Sequence, residues 1–103
     1  MKAQYIQIIR EYEVKQGFRS EFIDAYKPYG VRDTLLKTCP GYIKTRLVAN
    51  NEKPGSFITV DNWESYDALL EMEKILADDY KKLETRCSKY FFSEILYAFI
   101  SLK

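Results

Sequence analysis

The segment from Tyr90 to Ile100 constrains the fold most, because it is apolar on both sides. Its aromatic and β-branched residues favour a strand, and successive side chains of a strand point to opposite faces. One face would carry Tyr90, Phe92, Glu94, Leu96, Ala98 and Ile100, and the other Phe91, Ser93, Ile95, Tyr97 and Phe99. A strand with one face in water would alternate apolar and polar residues instead. We therefore expect both faces of this strand to be covered.

Hydrophobic periodicity predicts the other elements. Residues 4–14, 42–49 and 56–63 read as strands, and the polar segment 50–55 turns the second strand into the third. Helical segments are predicted after residue 18 and after Ser65, which is a plausible N-cap. Pro28 and Gly30 divide the first helical segment. Four stripes are expected to be buried: Phe18, Phe22, Ala25 and Tyr29; Val31, Leu35 and Cys39; Tyr66, Leu69, Leu70 and Met72; and Leu76, Tyr80, Leu83 and Cys87.

The resulting order, β-α-β-β-α-β, predicts an α+β protein with the ferredoxin-like fold over residues 1–103, as a single domain. Its sheet has four antiparallel strands, and its helices cover one face only. The uncovered face would expose several aromatic side chains of the last strand, which is unusual for a monomer. We therefore predict a homodimer in which two sheets pack face to face.

Composition excludes several kinds of function. The chain has no histidine, which removes the commonest general base and metal ligand and excludes Ser-His or Cys-His nucleophilic catalysis. Acidic runs match no metal loop, so no metal site is expected. The two cysteines, Cys39 and Cys87, lie far apart and are interpreted as buried, reduced side chains.

Charge and hydropathy argue against two kinds of partner. The formal net charge is +1, from 16 basic and 15 acidic residues, and the basic residues form no long run. This does not favour binding to nucleic acid or to an anionic membrane. The N-terminal segment has no signal-peptide core, and no apolar stretch approaches the length of a membrane span. A cytoplasmic protein is expected.

The segment from Pro40 to Leu70, PGYIKTRLVANNEKPGSFITVDNWESYDAL, resembles the antibiotic biosynthesis monooxygenase family. The matching features are Pro40-Gly41 before the aromatic Tyr42, the hairpin that follows, and the Trp-x-Ser step at Trp63-Glu64-Ser65 that opens a helix. The stretch Asp78 to Glu84 resembles the second helical segment of the family. The resemblance covers nearly the whole chain.

This resemblance implies a dimeric α+β barrel with a pocket in each subunit between its helices and its sheet. It also implies a cofactor-independent monooxygenase that oxidises a small phenolic, anthrone or hydroquinone-like substrate with O2. A branch of the family degrades haem with a histidine ligand, and that mechanism does not carry over to a chain without histidine. An asparagine on the first strand of those enzymes corresponds to Arg10 here.

Two other functions stay open at this stage. A non-catalytic or regulatory member of the same barrel would bind a small hydrophobic ligand without turnover, and fold alone does not decide between this and an enzyme. An RNA-recognition module shares the order of elements, but the third strand lacks its aromatic motif.

Six residues are candidates for the pocket. Trp63 ends the third strand, where it could pack in the core or contact a ligand, and Asn62 beside it could donate a hydrogen bond. Asp61 could also bond a ligand, but either polar residue could simply satisfy local backbone amides. Arg10 on the first strand could pair with Glu94 if it points towards the helices. The remaining candidates are Tyr26 and Tyr29, which flank Pro28, and Arg46, which would share a face of the second strand with Lys44 and Tyr42.

Overall fold

The computed structural model describes the backbone of residues 5–102 and the side chains of residues 5–99. The strands are β1 (Tyr5–Val14), β2 (Tyr42–Ala49), β3 (Ser56–Trp63) and β4 (Phe91–Leu102). The helices are α1 (Arg19–Tyr26), α2 (Val31–Leu36), α3 (Tyr66–Ile75) and α4 (Ala77–Cys87). Two short 3-10 turns precede α1 and β4, at Gln16–Phe18 and Ser88–Tyr90. The predicted start of the first strand at Gln4 and the side chain of Ile100 lie outside the described residues.

All strand pairs are antiparallel, and the strand order is β2-β3-β1-β4. This arrangement confirms the predicted ferredoxin-like α+β fold. In this order β1 lies between β3 and β4, and β2 and β4 form the edges of the sheet. The helices pack on one face, where β1 contributes Ile6, Ile8, Tyr12 and Val14 to the core.

The core has two clusters. One collects aromatic residues around Phe22, whose ring stacks on Tyr26 with centroids 4.3 Å apart. The other surrounds Trp63, which is 1% exposed and packs with Leu69 and Met72 of α3. Cys87 belongs to the first cluster and Cys39 to the second, and both are buried and free.

Local signals set the ends of several elements. The Ser65 side chain accepts a hydrogen bond from the Ala68 amide (3.1 Å), which confirms the predicted N-cap of α3. Residues 50–55 form the predicted connection of the β2–β3 hairpin. Gly41, with φ of +87°, makes the turn from α2 into β2, a conformation that a side chain would strain.

The predicted simple alternation along β4 is wrong, because two bulges interrupt it. Register shifts in the β1–β4 pairing leave Phe92 and Tyr97 as extra residues, each 73% exposed. After each bulge the strand changes the face on which the next residue lies. As a result Phe91, Leu96 and Phe99 face the helices, while Ile95 and Ala98 face away from them.

The prediction that Tyr42 shares a face with Lys44 and Arg46 is also wrong. A bulge at Ile43 separates the pair Tyr42–Trp63 from the pair Lys44–Asn62. Tyr42 therefore lies on the helical side with Thr45, whereas Lys44 and Arg46 point to the other side.

The buried face of α2 differs from the predicted stripe as well. Val31 is exposed and Leu35 is half-buried, although Cys39 beyond the helix is buried as expected. The helix instead buries Arg32, Asp33 and Leu36. Tyr29, expected on the buried stripe that begins at Phe18, is 83% exposed with φ of +66°, because the chain leaves the helical path at Lys27.

The later helical stripes are closer to prediction. In α3, Leu69 and Met72 are buried, but Tyr66 and Leu70 are exposed. The stripe of Leu76, Leu83 and Cys87 is buried, with Tyr80 half-buried beside it. Among the described residues, no helix is long and apolar enough to cross a membrane.

Candidate functional site

A cavity of about 550 Å³ lies between the sheet and the helices α3 and α4. Its lining contains both polar and apolar side chains. The polar side chains are Arg10, Arg32, Asp61, Glu73, Tyr80, Lys81 and Glu84, and the apolar ones are Ile8, Leu36, Trp63, Leu69, Met72, Leu76, Ala77, Leu96 and Phe99. The volume is in the range of small-molecule sites, which are mostly apolar with a few placed polar groups.

Among the polar lining residues, the carboxylate of Asp61 accepts hydrogen bonds from two arginines. Arg32 donates to Asp61 through both terminal nitrogens, with Nη1 to Oδ1 at 2.9 Å and Nη2 to Oδ2 at 2.7 Å. Arg10 donates from Nη1 to the same Oδ2 at 3.0 Å. Arg32 and Asp61 are almost fully buried, whereas the Arg10 side chain is 25% exposed. We call these three residues the ion cluster.

Burial and charge act in opposite directions on the ion cluster. Burial alone would raise the pKa of Asp61, but the charge and hydrogen bonds of Arg32 outweigh it and hold that pKa below its usual range. Burial would lower the pKa of Arg32, but Asp61 raises it well above its ordinary value. The cluster is therefore ionised at neutral pH, and Asp61 is a poor base.

Two hydrogen-bond donors of the lining residues have no acceptor among the described residues. The Tyr80 hydroxyl accepts from Arg32 Nη2 at 3.0 Å, and its own proton has no acceptor among the described residues. Arg10 Nη2 likewise donates to none of the side chains that the structure describes. Both residues line the cavity, where such donors can bind an anionic oxygen.

Two carboxylates lie beside these donors. Glu94 of β4 accepts from the Tyr12 hydroxyl at 3.2 Å and lies 3.5 Å from Arg10 Nε, so the Arg10–Glu94 contact foreseen from the sequence is present. Glu84 of α4 lines the cavity. Burial, and next the charge of Glu94, raise the pKa of Glu84, which suits a group that takes up a proton.

The apolar part of the lining includes the aromatic side chains of Trp63 and Phe99. Trp63 packs edge-on against Tyr42, with ring centroids 5.2 Å apart, and is otherwise enclosed by core residues. Phe99 packs against Tyr66 at 5.8 Å on the opposite edge of the cavity. Leu69 and Met72 also line the cavity. An aromatic or other apolar ligand would find its van der Waals contacts here.

The structure brings only some of the candidates together. Trp63 and Arg10 line the cavity. Tyr26 is buried next to it, beneath the Arg32 guanidinium, which lies 5.5 Å from its ring. Asn62 points to the other side of the sheet, where its Oδ1 accepts from Gln7 at 2.9 Å. Tyr29 and Arg46 line a separate outer cleft beside the edge strand β2.

Sequence reasoning missed Arg32, Tyr80 and Glu84 as site residues. A signal for Arg32 existed in part: Asp61 occupies an inward position of β3, and a buried carboxylate needs a cation. Arg10 on the neighbouring strand could already supply this cation, so the sequence gives no reason to expect a second arginine beside Asp61. Within the described part of the chain, no group of three or more carboxylates or thiols is placed to hold a metal ion.

The fold and the cavity define a class: a ferredoxin-like α+β protein with a ligand-sized space between its helices and its sheet. Within that class, a sequence model described as antibiotic biosynthesis monooxygenase matches residues 6–74, more than half of the chain. The chain belongs to this family. The resemblance drawn from its hairpin and its Trp-x-Ser step is thereby confirmed.

Solved structures show the same fold at low identity. A conserved protein from Bacteroides thetaiotaomicron, described as a possible oxidoreductase, has a TM-score of 0.78 at 14% identity and covers 97% of this chain and 99% of its own. SnoaB, a cofactor-independent oxygenase from Streptomyces nogalater, has a TM-score of 0.71 at 16% identity, with 93% of each chain covered. A proposed antibiotic biosynthesis monooxygenase from Caulobacter crescentus reaches 0.77 at 14% identity, with 95% and 89% covered. A search of curated proteins finds no match.

Proposed function

We propose that this protein is a cofactor-independent monooxygenase that oxidises a small phenolic, anthrone or hydroquinone-like compound with O2. Family membership supports a monooxygenase-like function. The observation that carries the finer proposal is the mixed lining of the cavity. Donors of Arg10 and Tyr80 that have no acceptor among the described residues, and the carboxylate of Glu84, line the cavity together with apolar residues that include Trp63 and Phe99.

The proposed chemistry needs only these groups, the substrate and O2. Glu84 takes the proton of the substrate, and the resulting phenolate oxygen accepts hydrogen bonds from Arg10 Nη2 and the Tyr80 hydroxyl. The electron-rich anion then reduces O2 directly. For an anthrone, the ring CH2 becomes C=O, one oxygen atom enters the product, and the other leaves as water with the two hydrogens of the carbon.

Oxygen uptake with a panel of anthrones and hydroquinones tests this function. We expect uptake above the autoxidation measured with heat-denatured protein. Arg10→Met should lower kcat/KM at least about tenfold, because one donor to the developing anion is lost. Arg86→Met, which removes an arginine outside the cavity, is the matched control and should leave uptake unchanged.

A ligand-binding protein without turnover is the second candidate, because enclosure of an apolar ligand needs no base. Trp63 is the only tryptophan, so a ligand in the cavity should change its fluorescence. Saturable quenching together with uptake no faster than autoxidation would replace the enzyme proposal with this one. If no compound of the panel quenches the fluorescence of Trp63 and none is oxidised, both proposed functions are contradicted.

We also propose that the working form is a cytoplasmic homodimer of single-domain subunits that span residues 1–103. The face of the sheet away from the helices supports the dimer. In the β4-β1-β3 register, Ala98, Ile9 and Val60 lie side by side, and Ile95 and Ile58 flank Glu11 in the next row. Packing a second sheet on these two rows would remove them from water. We do not propose nucleic acid or membranes as partners.

A further inference from the structure

The face of the sheet that points away from the helices carries its charges at fixed positions. Cross-strand pairing arranges its side chains in rows that run from β2 through β3 and β1 to β4. Two adjacent rows each hold one charged residue among three apolar ones: Arg46, Val60, Ile9 and Ala98 in the first, and Val48, Ile58, Glu11 and Ile95 in the second. The cation therefore lies on the edge strand and the carboxylate near the middle of the sheet.

Glu11 has no cation beside it in its own subunit, among the residues that the structure describes. Its Oε2 accepts a hydrogen bond from Ser56 Oγ at 2.8 Å, and no described lysine or arginine forms an ion pair with it. Ile58 and Ile95 flank it, and it is already half-buried. A second sheet packed on this face would bury the carboxylate further, which is strongly destabilising without a cation. A dimer through this face therefore needs a cation of the second copy near Glu11.

Arg46 can supply that cation. It is exposed and makes no ion pair with the described carboxylates. Two strand spacings, roughly 10 Å, and one row separate it from Glu11 of the same subunit. Lys44 lies one row farther from Glu11 than Arg46 does. Arg46 is therefore the better placed of the two basic residues on β2.

The charges distinguish between two ways of packing this face on itself. The two-fold axis lies between the two sheets, and for aligned strands it runs either across or along them. An axis across the strands lays β2 of one copy on β2 of the other, so that like charges of Lys44 and Arg46 meet, which is unfavourable. An axis along the strands reverses the strand order, so that β2 lies opposite β4 of the second copy and β3 lies opposite β1.

The sizes of the side chains favour the axis along the strands as well. In the row of Arg46, this axis places the longest side chain opposite Ala98, the smallest, and Val60 opposite Ile9. Arg46 then lies one row and one strand away from Glu11 of the second copy. Packed sheets lie about 10 Å apart, a distance that extended arginine and glutamate side chains span together.

We propose that, in the homodimer, Arg46 of each copy forms an ion pair with Glu11 of the other, once on each side of the two-fold axis. The ion pair rests on the proposed dimer and specifies how its two sheets face each other. A buried ion pair adds little net stability, but an orientation that leaves Glu11 without a cation is strongly destabilised. The partner of this face is thus a second copy of the same chain with its strand order reversed.

Charge reversal followed by light scattering tests the ion pair. Glu11→Lys places a lysine beside Arg46 of the second copy, and Arg46→Glu places a second carboxylate beside Glu11. We expect wild-type protein to scatter light as two copies at micromolar concentration and each single variant as one. Glu71→Lys on α3 and Arg86→Glu on α4 are the matched controls, since both residues are exposed on helices, and they should remain dimeric.

An equimolar mixture of Glu11→Lys and Arg46→Glu should scatter light as two copies again. In the mixed dimer both contacts join opposite charges, because the new lysine meets the new glutamate and the original Glu11 meets the original Arg46. Mixing would not repair a contact within one subunit, since each variant keeps two like charges in its own chain. Restoration by mixing would therefore show that the ion pair crosses the interface.

Single variants that remain dimeric, or that stay monomeric when mixed, would overturn the ion pair and leave the dimer itself standing. A monomeric wild type would overturn both. Oxygen uptake plays no part in these measurements, so the monooxygenase proposal holds or fails separately.

Circular dichroism checks the folding of each variant. If a charge-reversal variant is unfolded, Glu11→Gln and Arg46→Gln replace the two, and the dissociation constant of the dimer is measured for each and for the double variant. We expect the double variant to weaken the dimer by less than the product of the two separate factors, because both changes remove the same contact. Factors that simply multiply would refute the ion pair.

Discussion

At the scale of single residues, the interior charges are what distinguish this chain from an ordinary small α+β core. Arg32 comes from a short helix, Arg10 and Asp61 from neighbouring strands, and the three meet beside apolar residues. The sequence left open whether Arg10 points towards the helices, and the structure places Arg10 and Asp61 on that side. The sequence does not indicate that Arg32 is buried, because the apolar stripe of α2 suggested a different buried face.

Removal of Arg32 should destabilise the protein, because the buried carboxylate of Asp61 then loses one of its two cations. We expect Arg32→Met to lower the free energy of unfolding by about 3–5 kcal/mol, since Asp61 stays buried with Arg10 as its remaining cation. The double variant Arg32→Met, Asp61→Leu removes both charges of this pair. Its free energy of unfolding should therefore fall by less than that of Arg32→Met alone. Urea denaturation measures both, and losses that simply add would contradict this account.

At the scale of elements, bulges decide which side chains face the cavity. Without the extra residue at Tyr97, Phe99 would lie on the same face as Ile95, away from the helices. Without the bulge at Ile43, Tyr42 would lie on the other face of the sheet and could not reach Thr45. Neither bulge contains a glycine or proline that would indicate it in the sequence. This explains why the prediction of simple alternation was wrong in both strands.

The turn from α2 into β2 depends on Gly41 in two ways. A Cβ at this position would lie 2.4 Å from the Cβ of Ala68, and φ is +87°. We expect Gly41→Ala to lower the free energy of unfolding by at least about 2 kcal/mol, from left-handed strain and displacement of α3.

Gly17→Ala is the matched control, because a Cβ there meets nothing within 4 Å. It should change the free energy of unfolding by less than about 0.5 kcal/mol. Equal losses for Gly41→Ala and Gly17→Ala in urea denaturation would show that the contact with Ala68 is not limiting.

At the scale of the whole molecule, the sheet has one covered and one uncovered face. The bulges move Phe99 to the helical side, so the uncovered face is less aromatic than the sequence predicts. It remains apolar in the row of Ala98, Ile9 and Val60, and in the next row Ile58 and Ile95, which is 52% exposed, flank Glu11. The homodimer therefore stays a prediction, now argued from Ile9, Ile58, Val60 and Ile95 rather than from aromatic residues.

Ile95→Glu tests the dimer. We expect wild-type protein to scatter light as two copies at micromolar concentration and Ile95→Glu as one, because a charge between packed sheets is costly. Ile75→Glu is the control, since Ile75 is 55% exposed but lies on α3, away from that face. A well-folded wild-type monomer, or equal dissociation by both variants, would refute the sheet-to-sheet arrangement.

The sequence by itself determined the order of elements, the ferredoxin-like fold and the N-cap at Ser65. These follow from periodicity and turn residues, which act over a few neighbouring positions. Only the tertiary structure decided that Arg32 reaches Asp61, 29 positions away, and that Asn62, Tyr29 and Arg46 lie outside the cavity. Asn62 alternates with Asp61 and Trp63 along β3, and Tyr29 lies outside because the chain leaves the helical path at Lys27. The burial of Arg32 depends on charge pairing between distant segments, which has no local pattern in the sequence.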